Sequence, residues 1–238
     1  MIKVIVGVPA RLNSSRLPKK ILKDINGKPM LLRVLENCRK AKGIDYLISC
    51  TDTIEVVELI KKWGFNSILT GSSHTSGSER LNSIIDRLIP DKEDDKNTLV
   101  INVQSDLPYL DFKIIENMIE LFRRYNNPPV LTPIYSLCKD EIFNPNVVKV
   151  VINNNDEALL FSRAAIPYLR DIPKEEWHEE NNFWGHIGIY GFRGDILRKW
   201  KNYETSKLEK IEKLEQLRLI YSDVRIKCFK VLDPPLSV

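Results

Sequence analysis

VPARLNSSRLPKKIL, residues 8–22, decides how the rest of this chain is read. It follows an apolar run, Ile2-Lys3-Val4-Ile5-Val6-Gly7-Val8, with the near-continuous hydrophobicity of a strand buried on both faces of a parallel sheet. It precedes an amphipathic run that begins near Pro29. The stretch is therefore the first strand-to-helix connection of an α/β chain, at the carboxyl end of its first strand. Open α/β sheets bind ligands there. Within it stand Arg11, Arg16, Lys19 and Lys20, with the hydroxyls of Ser14 and Ser15 between them. Cations so crowded repel one another unless an anion or solvent screens them. A triphosphate would supply that anion, met by guanidinium forks, ammonium charges and backbone N–H groups. A solvated basic loop has the same composition. The position after the first strand favours phosphate.

The whole chain narrows the classes available. Its 238 residues allow one large domain or a domain with an appendage. No apolar run approaches the ~20 residues that span a bilayer. The first strand runs straight into a charged loop, not into a signal-peptide cleavage site. Cys38, Cys50, Cys138 and Cys228 have no CxxC spacing, so neither a zinc site nor a disulfide framework is indicated, and a reducing cytosol fits best. The net charge of +4 is too mild to argue for nucleic acid, and its concentration in the first loop suits a small anion.

Further along, Asp24-Ile25-Asn26-Gly27 reads as a turn. Pro29 suits the start of a helix whose apolar stripe is Leu31, Val34, Leu35 and Cys38, ending at Gly43. Residues 46–50 read as a second strand with Thr51-Asp52 at its end. A helix over 53–63 follows, then a third strand at 67–70. This β-α-β-α-β order predicts a parallel sheet with right-handed crossovers. The loop GSSHTSGSERL, residues 71–81, is small and polar and turns helical at Leu81, with Ser78 near the helix start. Such residues let backbone approach a flat ligand, although a flexible capped loop has the same look. Residues 91–96 read as a charged surface connection, and 98–103 as a buried strand delivering Gln104-Ser105-Asp106 to the sheet edge. An aspartate there can hold a hard cation such as Mg²⁺, or serve as a turn or N-cap residue.

The character then changes. After a helix over 112–125 and a strand over 130–134, residues 143–167 read as two strands around Asn153-Asn154-Asn155-Asp156. Residues 171–182 read as a mobile acidic loop, 184–192 as one strand, and 225–232 as the last strand. Residues 204–219 read as one helix with Leu208, Ile211, Leu214 and Leu217 on one face. No Walker A motif, G-x-G-x-x-G or nucleophile elbow is present.

Seven ordered stretches together resemble the sugar-acid cytidylyltransferases, most closely the 3-deoxy-manno-octulosonate (Kdo) cytidylyltransferase, or CMP-Kdo synthetase, family. They are VPARLNSSRLPKKIL with DINGKPM, HTSGSERL (74–81), INVQSDLP (101–108), FNPNVVKVV (143–151), FSRAAIP (161–167), HIGIYGF (186–192) and LEKIEKLEQLR (208–218). The resemblance implies a Rossmann-like, mostly parallel sheet flanked by helices, with a smaller mixed-strand portion for the sugar and for dimerisation. In those terms residues 1–142 bind CTP, 143–193 form the mixed-strand portion and 194–238 return to the main sheet, all within one domain. Arg11, Arg16 and Lys20 match the triphosphate loop, beside Pro9 and Ala10. Ser76, Gly77, Arg80 and Gln104 match the surroundings of the cytosine and ribose. Asp106 matches a magnesium ligand. Arg163, His186, Tyr190, Glu215 and Gln216 match the sugar-acid side. The implied enzyme is a cytoplasmic homodimer of lipopolysaccharide biosynthesis that releases pyrophosphate from CTP in one in-line displacement, with Arg16, Lys20 and Asp106 as its catalytic groups. Arg163 or His186 would pair with the acceptor's carboxylate.

Departures from the family pattern bear mainly on the acceptor. Lys19 stands where the phosphate turn has glycine, so the turn must tolerate a side chain or take a negative φ. Ser105-Asp106-Leu107 replaces Gly-Asp-Glu, losing one acid. Gly185 stands where a basic residue is usual, and restoring a cation there is expected to raise activity on Kdo if the native acceptor is a variant acid. The family's second metal carboxylate is expected directly after Val238 in a longer form. An acceptor such as an amino-Kdo or a phosphonate, or a CTP-binding module without turnover, are the competing readings.

Overall fold

The computed structural model describes residues 2–12 and 17–235. Ser14, Ser15 and Arg16 of the first loop lie outside these residues, as does the chain end at Val238.

Strand β1 (Lys3–Ala10) is buried from Val4 to its end. Two short strands, β2 (Asp24–Ile25) and β3 (Lys28–Pro29), form a hairpin. Asn26 and Gly27 turn it with φ of +49° and +82°, the pair of positive values that a type I′ turn requires. Pro29 stands at the N-cap of α1 (Met30–Lys40), which buries Met30, Leu31, Val34, Leu35 and Cys38 at helical spacing. Then come β4 (Tyr46–Thr51), α2 (Ile54–Lys62) and β5 (Asn66–Leu69).

Helix α3 (Gly77–Asn82) begins earlier than the expected Leu81, because its cap is Ser76 and not Ser78. The Ser76 Oγ accepts from the Glu79 N–H at 3.2 Å, and the Glu79 carboxylate accepts from the Thr75 N–H at 2.8 Å. A serine followed three residues on by glutamate is the sequence signal for that start. After α4 (Ile85–Leu88), the acidic 91–96 stretch is not simply a surface connection. Asp95 is buried there, both of its oxygens taken by the Arg198 fork at 2.7 and 2.8 Å. A partner so far along the chain leaves no local signal. Strand β6 (Thr98–Asn102) is buried throughout, and α5 (Phe112–Arg124) buries Ile114, Ile115, Met118, Ile119 and Phe122.

The second half continues through β7 (Val130–Ser136), α6 (Lys139–Ile142), β8 (Lys149–Ile152) and β9 (Ala158–Ser162). The expected mobile loop over 171–182 instead carries α7 (Trp177–Glu180). Trp177 anchors it: the ring stacks on Phe183 at 5.8 Å and meets Tyr168 edge-on at 5.1 Å, and the indole N–H donates to the Ile172 carbonyl. One buried tryptophan outweighs the acidic composition around it. The single strand expected over 184–192 is two, β10 (Trp184–His186) and β11 (Tyr190–Arg193), with different pairing partners. Helix α8 (Gly194–Arg198) follows.

The single helix expected over 204–219 is also two, α9 (Lys207–Glu212) and α10 (Leu217–Tyr221). They are broken at Lys213, which adopts a left-handed conformation with φ +54°. The predicted apolar face is turned outward in α9, where Leu208 is 42% and Ile211 77% exposed. The chain closes with β12 (Ile226–Lys230).

Two compact units result. Of the described residues, the first holds those up to Asn127 with Ile189–Asn202 and Pro235. Its strands run in the order β5-β4-β1-β6-β11, parallel except for β11. This is the mostly parallel α/β sheet that the sequence predicts, and β1 at its centre explains the unbroken apolar run. The second unit holds Pro128–Gly188 and Tyr203–Pro234. Its strands are mixed: β12 runs parallel to β7, while β7, β10, β8 and β9 pair antiparallel in that order. Among the described residues no helix is long and apolar enough to cross a membrane.

Candidate nucleotide and acceptor sites

In the first unit, β4, β1 and β6 are parallel, so their carboxyl ends share one edge. Pro9-Ala10, Thr51-Asp52 and Gln104-Ser105-Asp106 gather there. Pro9 and Ala10 are buried, and Arg11, just beyond, is exposed. Lys20 opens a single 3-10 turn, Lys20–Leu22, seated by buried Ile21. Its ammonium lies 3.0 Å from the Asp106 carboxylate. Lys19 precedes that turn with φ +54° and ψ +31°. Of the two expected alternatives, the turn tolerates a side chain: the glycine-like backbone is kept, and a lysine bears it at a cost of about 1–2 kcal/mol.

The start of α3 sits directly on the end of β1. A Cβ on Gly77 would come within 2.8 Å of Pro9 Cγ and 3.3 Å of Asn102 Nδ2, so only glycine allows this approach. Asn102 is buried; its amide donates to Ser78 Oγ at 3.1 Å, and its Oδ1 has no hydrogen-bond partner among the described residues. Gln104 follows on the same strand end, half-buried. Arg80 is almost wholly buried. It donates to Asp52 Oδ2 at 3.0 Å, to Thr70 Oγ1 at 2.6 Å and to the Gly71 carbonyl at 3.1 Å. Its guanidinium ties the ends of β4 and β5 to α3, which makes Asp52 part of the same construction. His74 lies in this loop with its pKa lowered, first by burial and next by the Arg80 charge. Tyr190 belongs to this unit too, buried on β11 opposite Asn102 and stacked on Phe192 at 5.7 Å.

The remaining acceptor-side residues lie in the second unit. His186 Nε2 is 2.8 Å from Thr132 Oγ1, and Phe161 meets its ring edge-on at 4.9 Å. Burial lowers its pKa from 6.5 to about 3, so the imidazole is neutral near pH 7. In that form it can hydrogen-bond an acceptor's carboxylate. Arg163 donates from Nε to the Glu212 carbonyl at 2.8 Å and from Nη1 to the Pro145 carbonyl at 2.9 Å. Glu215 is half-buried, and Gln216 is buried with its Nε2 lacking a hydrogen-bond partner among the described residues. Gly185 has no room for the cation that the family pattern suggests. A Cβ there would fall 2.4 Å from Leu137 Cδ2 and 2.6 Å from Tyr135 Cε1.

Sequence reasoning missed two groups here. Glu212 accepts from the Ser162 hydroxyl at 2.6 Å and from the Arg163 N–H at 2.9 Å. Lys149, fully buried, donates to the Asn144 and Val147 carbonyls at 2.8 and 2.6 Å. A lysine within an apolar strand was the available signal for the second.

The family model described as Cytidylyltransferase matches residues 5–226. A 3-deoxy-manno-octulosonate cytidylyltransferase from Photobacterium profundum is 39% identical over 234 residues, covering 97% of this chain and 91% of that protein. One from Sodalis glossinidius is 41% identical over 220 residues, covering 92% and 86%. The solved structure of a CMP:2-keto-3-deoxy-manno-octonic acid synthetase complexed with CTP superposes with a TM-score of 0.88 at 33% identity, over 99% of this chain and 93% of that one.

Proposed function

The chain belongs to the cytidylyltransferase family, and we propose that it couples CTP to the anomeric hydroxyl of Kdo or a close relative, releasing pyrophosphate. The observation that carries this reading is the pairing of Lys20 with Asp106 at the carboxyl edge of β1 and β6. The near end-to-end likeness to Kdo cytidylyltransferases supports the choice of acceptor.

The acceptor hydroxyl attacks the α-phosphorus of CTP. A new P–O bond forms, the bond to the bridging oxygen breaks, and pyrophosphate leaves with the electron pair. Positioning and charge neutralisation dominate such transfers. Lys20, with Arg16 and Arg11, takes up the negative charge on the leaving group. Ser76, Gly77 and Gln104 face the base and ribose, and Arg80 holds the loop that carries them. Arg163 offers charge to the acceptor's carboxylate and His186 a hydrogen bond, while Gln216 hydrogen-bonds the sugar hydroxyls and Glu215 accepts from them.

Magnesium is part of the proposal. Among the described residues, no three His, Cys, Asp or Glu side chains converge as a metal cage. Asp106, its side chain 41% exposed, is the carboxylate at the edge of β6. Mg²⁺ takes one or two carboxylates with phosphate oxygens and water, so this donor set fits it once a nucleotide is present. Asp106 would hold the ion, which supplies neutralisation of the phosphate charge.

We also propose a homodimer, supported by the apolar residues Leu159, Leu208 and Ile211 exposed on the second unit. A cytoplasmic setting agrees with four free cysteines, and a CMP-activated Kdo is a donor for lipopolysaccharide biosynthesis. The test of the acceptor is pyrophosphate release from CTP across a panel of sugar acids and phosphonates. Kdo or an amino-Kdo as the fastest acceptor supports the reading; a phosphonate as the fastest overturns it.

A further inference from the structure

We infer that Glu212 is the positioning residue of the acceptor side, fixing Arg163 and the Glu215-Gln216 turn in one arrangement. This rests on the proposal that those residues receive the sugar acid.

The first observation is how α9 is held. Its apolar residues Leu208 and Ile211 point outward, so burial of leucines does not dock it. Two carboxylates do. Glu209 is buried and takes the Arg218 guanidinium, with Nε at 3.1 and 3.0 Å from its two oxygens. Glu212, the last residue of α9, takes the end of β9: Oε1 from the Ser162 hydroxyl, Oε2 from the Arg163 N–H. The Glu212 carbonyl takes Arg163 Nε as well. Main chain and side chain of one residue thus fix both the backbone and the guanidinium of Arg163.

The second observation is the path of the chain beyond Glu212. Lys213 is left-handed, and Leu214-Glu215-Gln216 follow directly, with Gln216 at the N-cap of α10. The contact that fixes Arg163 therefore also fixes where the Glu215-Gln216 turn begins.

The third is charge. Arg163 Nη1 and Lys149 Nζ hold the same turn, at the Pro145, Asn144 and Val147 carbonyls. The pKa of Lys149 is lowered, first by burial and then by Arg163, while Glu212 acts to raise it. Two cations and one carboxylate thus share this corner, with one positive charge in excess. A monoanionic acceptor would balance it. Without Glu212 the two cations would face each other uncompensated, and the guanidinium would lose its fixed direction.

The test is the steady-state kinetics of Glu212→Ala, Glu212→Gln, Arg163→Ala and the double variant Glu212→Ala/Arg163→Ala, with Kdo and CTP varied separately. Loss of a charge-assisted contact of this kind should raise the KM for the acid on the order of tenfold in Glu212→Ala, with the KM for CTP within about twofold. Glu212→Gln keeps the shape and part of the hydrogen bonding, and should be intermediate. Because Glu212 acts through Arg163 and through the Glu215-Gln216 turn, the double variant should be worse than Arg163→Ala, but by less than the full Glu212→Ala effect. Additive effects, or equal rises in both KM values, would overturn the inference. Should Glu212→Ala fail to fold, Ser162→Ala removes one contact alone and should show the same split at smaller size; an unmoved acceptor KM there overturns it. If the unaltered protein does not saturate with any sugar acid, the acceptor reading fails first, and the inference falls with it.

Discussion

The Lys20 ammonium lies 3.0 Å from the Asp106 carboxylate, joining two stretches 86 residues apart at one sheet edge. Both side chains are partly exposed, 23% and 41%, so the pair adds little to stability: roughly 0–1 kcal/mol for such surface pairs. Its value lies in where it places a cation. Lys20→Ala should therefore leave the thermal midpoint nearly unchanged while costing about 2–4 kcal/mol of transition-state stabilisation, read from kcat/KM. A variant that unfolds early but turns over normally would reverse this assignment.

Lys19 bears a left-handed backbone that suits glycine. Lys19→Gly removes that strain but gives the unfolded chain more freedom, about 0.5–1 kcal/mol in the opposite direction. The expected result is a shift of less than about 1 kcal/mol in denaturant unfolding, with activity retained. A large loss of activity would show that the lysine side chain itself meets the substrate.

Gly185 lies under Tyr135 and Leu137, with contacts of 2.4–2.7 Å awaiting any Cβ. Gly185→Arg should destabilise by about 1–3 kcal/mol or more through overpacking, and should not raise activity on Kdo. Thermal unfolding with a parallel assay checks both. A stable, more active variant would mean that β10 can shift to admit the side chain.

His186 is held neutral, its pKa down from 6.5 to about 3. Between those values the unfolded chain binds the proton and the folded chain does not, so folded stability falls as pH drops through that window. The contribution is complete above about pH 6.5. As pH is lowered from 7 to 4, unfolding midpoints should fall more steeply for the unaltered protein than for His186→Gln. Parallel curves would place the acid sensitivity elsewhere.

The first half of the chain was legible because its signals are local. Unbroken apolar β1, the Asn26-Gly27 turn and the spacing of Leu31, Val34, Leu35 and Cys38 each have one cheap solution. The second half was less so. The spacing of Leu208, Ile211, Leu214 and Leu217 reads as one apolar stripe, but Glu209 pairs with Arg218 across the break at Lys213, and Glu212 with Ser162-Arg163, far back in the chain, and these contacts leave Leu208 and Ile211 exposed. Trp177 likewise fixes a segment whose composition reads as a loop. At the sites, the sequence put Lys20 and Asp106 toward one sheet edge, and there they pair. Burial, which sequence does not give, lowers the pKa of His186. Arg80, whose partners Asp52 and Thr70 lie on other strand ends, shows contacts that local sequence does not give.

The most direct measurement is pyrophosphate release by the purified protein given CTP, Kdo and Mg²⁺, with UTP in place of CTP as the comparison. A site that must satisfy the cytosine amino group rejects a carbonyl in its place. Turnover that needs all three components and strongly prefers CTP is the predicted result. CTP binding without pyrophosphate release, under conditions where the protein is folded, would contradict it.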